Sequence, residues 1–171
     1  VRFGKKDIVK QLREKMEAAS DRLDFETAAL LRDQIQAIER VAAGQKVVMD
    51  ADTEMDIIAL AGTTRAVCAA VLRYRDGRLT DKREFVFHDT TDINAVREEF
   101  LPQYYLDGEN IPRTIAVDAL PPDAEALNEA LNQARGTKVE LYVPQRGDVA
   151  KLVTMAYTNA VERLGRESGR Y

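Results

Sequence analysis

The spacing of apolar residues changes period once along the chain, and that change limits what the chain can fold into. Up to residue 46 the apolar positions recur every three or four residues: Ile8, Leu12, Met16, Ala19 and Leu23, then Phe25, Ala28, Leu31, Ile35, Ile38 and Ala42. Each set falls on one face of a helix. After the acidic, polar stretch 47–55 (VVMDADTEM) the pattern becomes short apolar runs bounded by turn residues, the signature of strands. A helical segment, a linker over 47–55 and a sheet-containing domain over 56–171 therefore follow one another.

Asp24 separates the two helical stripes and is placed to cap the second helix, whose stop is Gly44. A turn this short makes the helices antiparallel, with their stripes facing each other. A hairpin of about 40 residues buries too little surface to stand alone, and it has neither a metal motif nor a disulfide. It either packs on the following domain or keeps an apolar face for another protein.

In the second segment MDIIALAG, AVCAAVLRYRDG and RLTDKREFVFHD read as three strands, with Asp76-Gly77 as a hairpin turn. A helix follows, DINAVREEFLPQYYL, capped by Asp92 and disturbed by Pro102. Next come a strand RTIAVDA, a helix from Asp123 to Ala134, a fifth strand GTKVELYVP, and a last helix from about Asp148 to Leu164. The expected fold class is α+β: an N-terminal antiparallel helical hairpin, then a mixed sheet flanked by helices. Three strands followed by alternating helix and strand is the element order of the ribonuclease H-like fold.

Nucleases on such a sheet need several carboxylates converging on divalent metal, one of them from the middle of the first strand. Here Ala59, Leu60 and Ala61 occupy that middle. Asp56 lies too early, and Asp118, near the end of the fourth strand, has no evident acidic partner on the first. No catalytic residue and no metal ligand is assigned, and a metal-dependent nuclease over 56–171 is the alternative reading. His88, the one histidine, reads as a strand-end residue without a catalytic role. Gln103, Tyr104 and Tyr105 read as core or domain contacts rather than a base-stacking surface. In PQRGD (144–148), Arg146 and Gly147 suit either an ordinary turn with Asp148 as cap or a phosphate contact at a helix N-terminus. Arg146 with Lys138 is the candidate nucleic-acid contact.

Charge weighs against a stand-alone DNA binder. Residues 1–46 hold ten Lys and Arg against eight Asp and Glu, and the remainder holds 15 against 21. A phosphate-gripping domain carries a basic excess. The one cysteine, Cys68, sits in the apolar run AVCAAVL and reads as a core thiol. The absence of a disulfide framework fits a cytoplasmic setting. No apolar run approaches the roughly 20 residues that span a bilayer, and no signal peptide is visible. The chain begins at Val1, which suggests excision from a longer protein.

The stretch LREKMEAASDRLDFETAALLRDQI resembles the UVR motif, a helical hairpin of bacterial nucleotide-excision repair proteins. The matching positions are Met16, Ala19, Phe25, Glu26, Ala28, Ala29, Arg32, Asp33 and Ile35. The segments DIIALA, DGRL, LPQYYLDGENIP and VPQRGDVAKLVTMAYTNA resemble the central part of the UvrC family of excinuclease components. The resemblance implies that the hairpin docks onto UvrB, the neighbouring component of the same excinuclease, through Phe25, Glu26, Ala28, Ala29, Arg32, Asp33 and Ile35. It also implies that 56–171 is a catalytically silent ribonuclease H-like scaffold. Damaged DNA is then met in the full complex. Divalent metal belongs to nuclease domains outside this chain, and no cofactor, small-molecule substrate or membrane is expected here.

Overall fold

A computed structural model of the protein describes residues 5–21, 24–42, 49–106 and 110–168; within these, side chains are described outside 5–7, 37–42 and 168. The order is α1 (Lys5–Asp21), α2 (Phe25–Ala42), β1 (Met55–Gly62), β2 (Ala66–Arg75), β3 (Arg78–His88), α3 (Ile93–Leu106), β4 (Thr114–Val117), α4 (Ala124–Arg135), β5 (Glu140–Tyr142) and α5 (Asp148–Ser168). The expected stop at Gly44 lies outside the described residues.

The five strands form one sheet in the order β3-β2-β1-β4-β5. β1 to β3 run antiparallel, and β4 and β5 join parallel to β1. The central strand β1 is buried on both faces, so MDIIALAG is a continuous apolar run rather than an alternating one. At the Asp76-Gly77 turn both residues have positive φ (55° and 74°), the twist a two-residue hairpin requires. A side chain at Gly77 would collide with the Asp50 carbonyl at 2.4 Å. The Gly77 amide donates to the Thr53 carbonyl at 3.2 Å, so the segment before β1 is laid against this turn.

The sheet separates two cores. On one face Ile57, Ala59, Ala61, Cys68, Ala70 and Leu72 meet Leu152, Ala156, Ala160, Val161 and Leu164 of α5. Small residues on both partners let α5 lie close to the sheet. The same cluster takes in Leu12, Leu31 and Ile35 of the hairpin, so α5 is sandwiched between the sheet and α1/α2. On the other face Ile58, Leu60, Val67, Ala69 and Val71 pack on α3 and on Leu131 of α4. Tyr104 and Tyr105 are buried there, as core residues. Phe85, Phe100 and Tyr104 form an aromatic cluster with ring centroids 5.2–5.7 Å apart.

Two local expectations need correction, on β5 and on α5. Pro102 lies inside α3, which continues to Leu106, the end read for it in the sequence. The amide that proline lacks falls opposite the carbonyl of Glu98, an exposed residue, where water can satisfy it. β5 forms only over Glu140–Tyr142, as a short edge strand. α5 runs on to Ser168, with Arg163 Nη2 bound to Glu167 Oε1 at 3.2 Å one turn along.

Candidate functional site

The hairpin turn is built by Asp24. Its amide donates to the Ala19 carbonyl at 2.8 Å, and its Oδ1 accepts the Thr27 amide at 3.2 Å, closing α1 and capping α2. α2 therefore starts with Phe25 as its first helical residue. A side chain there leans back toward the helix N-terminus, past the end of α1. Phe25 is in consequence 64% exposed, not part of the stripe facing α1 as its spacing suggested. That stripe is carried by Ala28, Leu31 and Ile35, all buried.

Beside Phe25 lies a groove of about 430 Å³ between the two helices, lined by Met16, Glu17, Ser20 and Asp21 of α1 and by Phe25, Ala28, Ala29 and Arg32 of α2. Two alanines and three charged side chains, Glu17, Asp21 and Arg32, are thus among its lining. Arg32 also meets its neighbour Asp33 at 3.5 Å, with both side chains more than half exposed. Among the partner-facing candidates, Phe25, Ala28, Ala29 and Arg32 thus share one groove. Glu26 and Asp33 are exposed but do not line it. Ile35 is placed elsewhere: at 4% exposure it packs in the α5 cluster and is not on an outer surface. Glu17, Ser20 and Asp21 went unread in the sequence. Their signal is their spacing from Met16, one, four and five positions further along α1.

The sheet's carboxylates are engaged by other groups. Asp118 follows β4 directly; its Oδ2 accepts the Leu60 amide at 3.1 Å and Arg97 Nη2 at 3.0 Å, and its Oδ1 accepts the Ala119 amide at 2.9 Å. Arg97, from the first turns of α3, is 4% exposed and also donates to Asn94 Oδ1 at 2.8 Å. Asp56 is fully buried: Tyr105 Oη donates to its Oδ2 at 2.7 Å and Arg75 Nη1 to its Oδ1 at 2.9 Å. Burial raises its pKa, only partly offset by the Tyr105 hydrogen bond and the Arg75 charge. Burial and the adjacent Asp56 carboxylate push the Tyr105 phenol well above its ordinary value. Each carboxylate thus ties α3 to the sheet, one near each end of the helix. Among the described residues no three His, Cys, Asp or Glu side chains gather into a group that could hold a metal ion.

Lys138 and Arg146 are both exposed, one before and one after β5. Gly147 has φ +91°, the left-handed turn before α5 that the PQRGD reading allowed. His88 ends β3. Cys68 is buried, and desolvation pushes its thiol up to about 12. Among the described residues no helix is long and apolar enough to cross a membrane.

A capped helical hairpin laid on a ribonuclease H-like sheet, with the sheet's acids engaged in structural pairs, defines the class of protein. Residues 54–167 match the UvrC ribonuclease H-like domain, and residues 6–41 match the UvrB/uvrC motif. The chain belongs to the UvrC ribonuclease H-like family. Among similar proteins, UvrABC system protein C of Thermoanaerobacter sp. is 38% identical over 164 residues, 94% of this chain and 27% of that protein. Its counterpart from Caldanaerobacter subterraneus is 37% identical over 169 residues, 96% of this chain and 27% of that protein. The one from Salinispora arenicola is 38% identical over 165 residues, 93% and 25%. The chain spans about a quarter of the length of these relatives.

Proposed function

We propose that this chain is an interaction and scaffold unit of a nucleotide-excision repair nuclease. The hairpin docks onto the matching hairpin of UvrB and so brings the incision nuclease to damaged DNA. The sheet domain holds that hairpin and performs no chemistry. The observation that carries the reading is Phe25: a large aromatic, 64% exposed, lining a groove together with Ala28 and Ala29, on a hairpin whose opposite face is already covered. Helix-in-groove recognition uses such an anchor, and small residues beside it let a partner helix approach closely. Glu26, Arg32 and Asp33 border the anchor and select partner and register more than they add affinity. Because Ile35 packs on α5, the partner surface comprises Phe25, Glu26, Ala28, Ala29, Arg32 and Asp33. Divalent metal serves the parent protein's nuclease domains, and DNA is met through the assembled complex.

The test is the binding of purified UvrB to wild-type and Phe25→Ala chains. Affinity is expected to fall by about 1 kcal/mol or more, the ordinary loss for an aromatic anchor. Unchanged affinity in both Phe25→Ala and an Arg32→Ala variant sinks the docking assignment. Incubation with DNA and magnesium or manganese tests the scaffold half: cleavage abolished by Asp118→Asn would replace it with a nuclease.

A further inference from the structure

The inner side of the hairpin is as specific as the outer groove. Leu12, Leu31 and Ile35 share one apolar cluster with Leu152, Ala160 and Leu164 of α5. Next to Leu31 and Ile35 sits one buried polar side chain. Gln34 is 3% exposed, and its Nε2 donates at 3.2 Å to the carbonyl of Gly62, the last residue of β1. Apolar side chains tolerate sliding, whereas a buried amide left without a partner is strongly disfavoured. Moving α2 along α5 by one turn, about 5.4 Å, would take Gln34 away from its acceptor. A single buried polar residue sets register between packed helices in just this way. Packing alone does not fix the arrangement here, because a cavity of about 660 Å³ opens beside the contact, with Thr27, Gln34, Thr63 and His88 in its wall. The acceptor itself is held: a side chain at Gly62 would sit 3.1 Å from Ile93, so this end of β1 is tight against α3 on its other side.

We propose that Gln34 is a positioning residue that clasps the hairpin onto the end of β1 in one register. A partner seated in the outer groove is then presented at a fixed orientation to the sheet instead of being carried on a loose tether. The clasp stands without the docking reading; its consequence for a partner rests on that reading.

Pulsed electron paramagnetic resonance tests it on the 171-residue chain, with spin labels on Gln11→Cys in α1 and Glu129→Cys in α4, both exposed sites. Cys68 is buried and stays unlabelled. The wild-type background is expected to give one narrow distance distribution. Gln34→Leu keeps the bulk and removes the bond. It is expected to raise the population outside the main peak about fivefold, the change that a hydrogen bond of about 1 kcal/mol carries, with helicity by circular dichroism unchanged. Gln34→Ala is expected to do the same if the leucine variant misfolds. A broad distribution in the wild-type background, or a narrow one in both Gln34 variants, overturns the clasp. Binding of UvrB separates the two claims. Full affinity in both Phe25→Ala and Arg32→Ala with a narrow wild-type distance removes the docking reading and leaves the clasp. A broad wild-type distance with lost Phe25→Ala affinity does the reverse.

Discussion

The sheet and the hairpin treat their side chains differently. In the sheet domain both faces are closed, and each internal carboxylate has found a partner: Asp118 in Arg97, Asp56 in Tyr105 and Arg75. In the hairpin one face is closed on α5, and the other leaves Phe25 in water beside a groove. Asp118 and Asp56 are both bonded to α3, through Arg97 and Tyr105, whereas the most exposed large apolar side chain, Phe25, lies on the hairpin. Arg97→Ala puts the first half of that contrast at greatest risk. With the Arg97 side chain 5% exposed and Asp118 21%, removing the guanidinium leaves a carboxylate without its counter-charge. The expected loss is about 3 kcal/mol of unfolding free energy, measured by urea titration. A loss within about 0.5 kcal/mol, the range of an ordinary surface change, would mean that the pair does not hold α3.

The hairpin's two faces are separated by a pair of substitutions of smaller effect. Leu31→Ala, at the buried contact with α5, is expected to lower stability by about 2 kcal/mol, the low end for a core leucine, because the adjoining cavity lets the site relax. Phe25→Ala is expected to leave stability within about 0.5 kcal/mol and to weaken UvrB binding by about 1 kcal/mol, roughly fivefold. Thermal melts and isothermal titration read the two quantities. If Phe25→Ala destabilises the chain as much as Leu31→Ala, the distinction between a covered and an open face fails.

Much of this arrangement was legible in the sequence, for reasons that differ by residue. Asp24, Asp92 and Asp76-Gly77 act on their own neighbours, so local rules placed them: Asp24 and Asp92 cap their helices through Oδ1, and Asp76-Gly77 takes the positive φ pair. The buried run of β1 and the missing carboxylate at its centre were readable because burial on both faces removes alternation. Periodicity could not tell which residues of one stripe face the chain's own domain. Phe25 and Ile35 share a spacing, yet one lies at the first turn in water and the other under α5. Arg97 and Gln34 carried no local signal, because their acceptors, Asp118 and the Gly62 carbonyl, are 21 and 28 positions away.

The smallest effect expected concerns pH and the second carboxylate. Asp56 is buried between Tyr105 and Arg75, and desolvation raises its pKa from 3.8 despite both partners. A carboxyl whose folded pKa is raised binds its proton more tightly when folded. Its contribution to stability is therefore fully present below pH 3.8, where both states are protonated, and is lost as pH rises through the folded value. Arg97 and Asp118 pair at the other end of α3, so the difference between wild type and Asp56→Asn isolates the Asp56 end. Wild type is expected to lose stability relative to Asp56→Asn as pH climbs from about 3.8 toward neutrality, read from paired thermal melts at each pH. The opposite slope would mean that the Tyr105 hydrogen bond and the Arg75 charge outweigh burial. Asp56 would then be a carboxyl that its two partners keep ionised inside the fold.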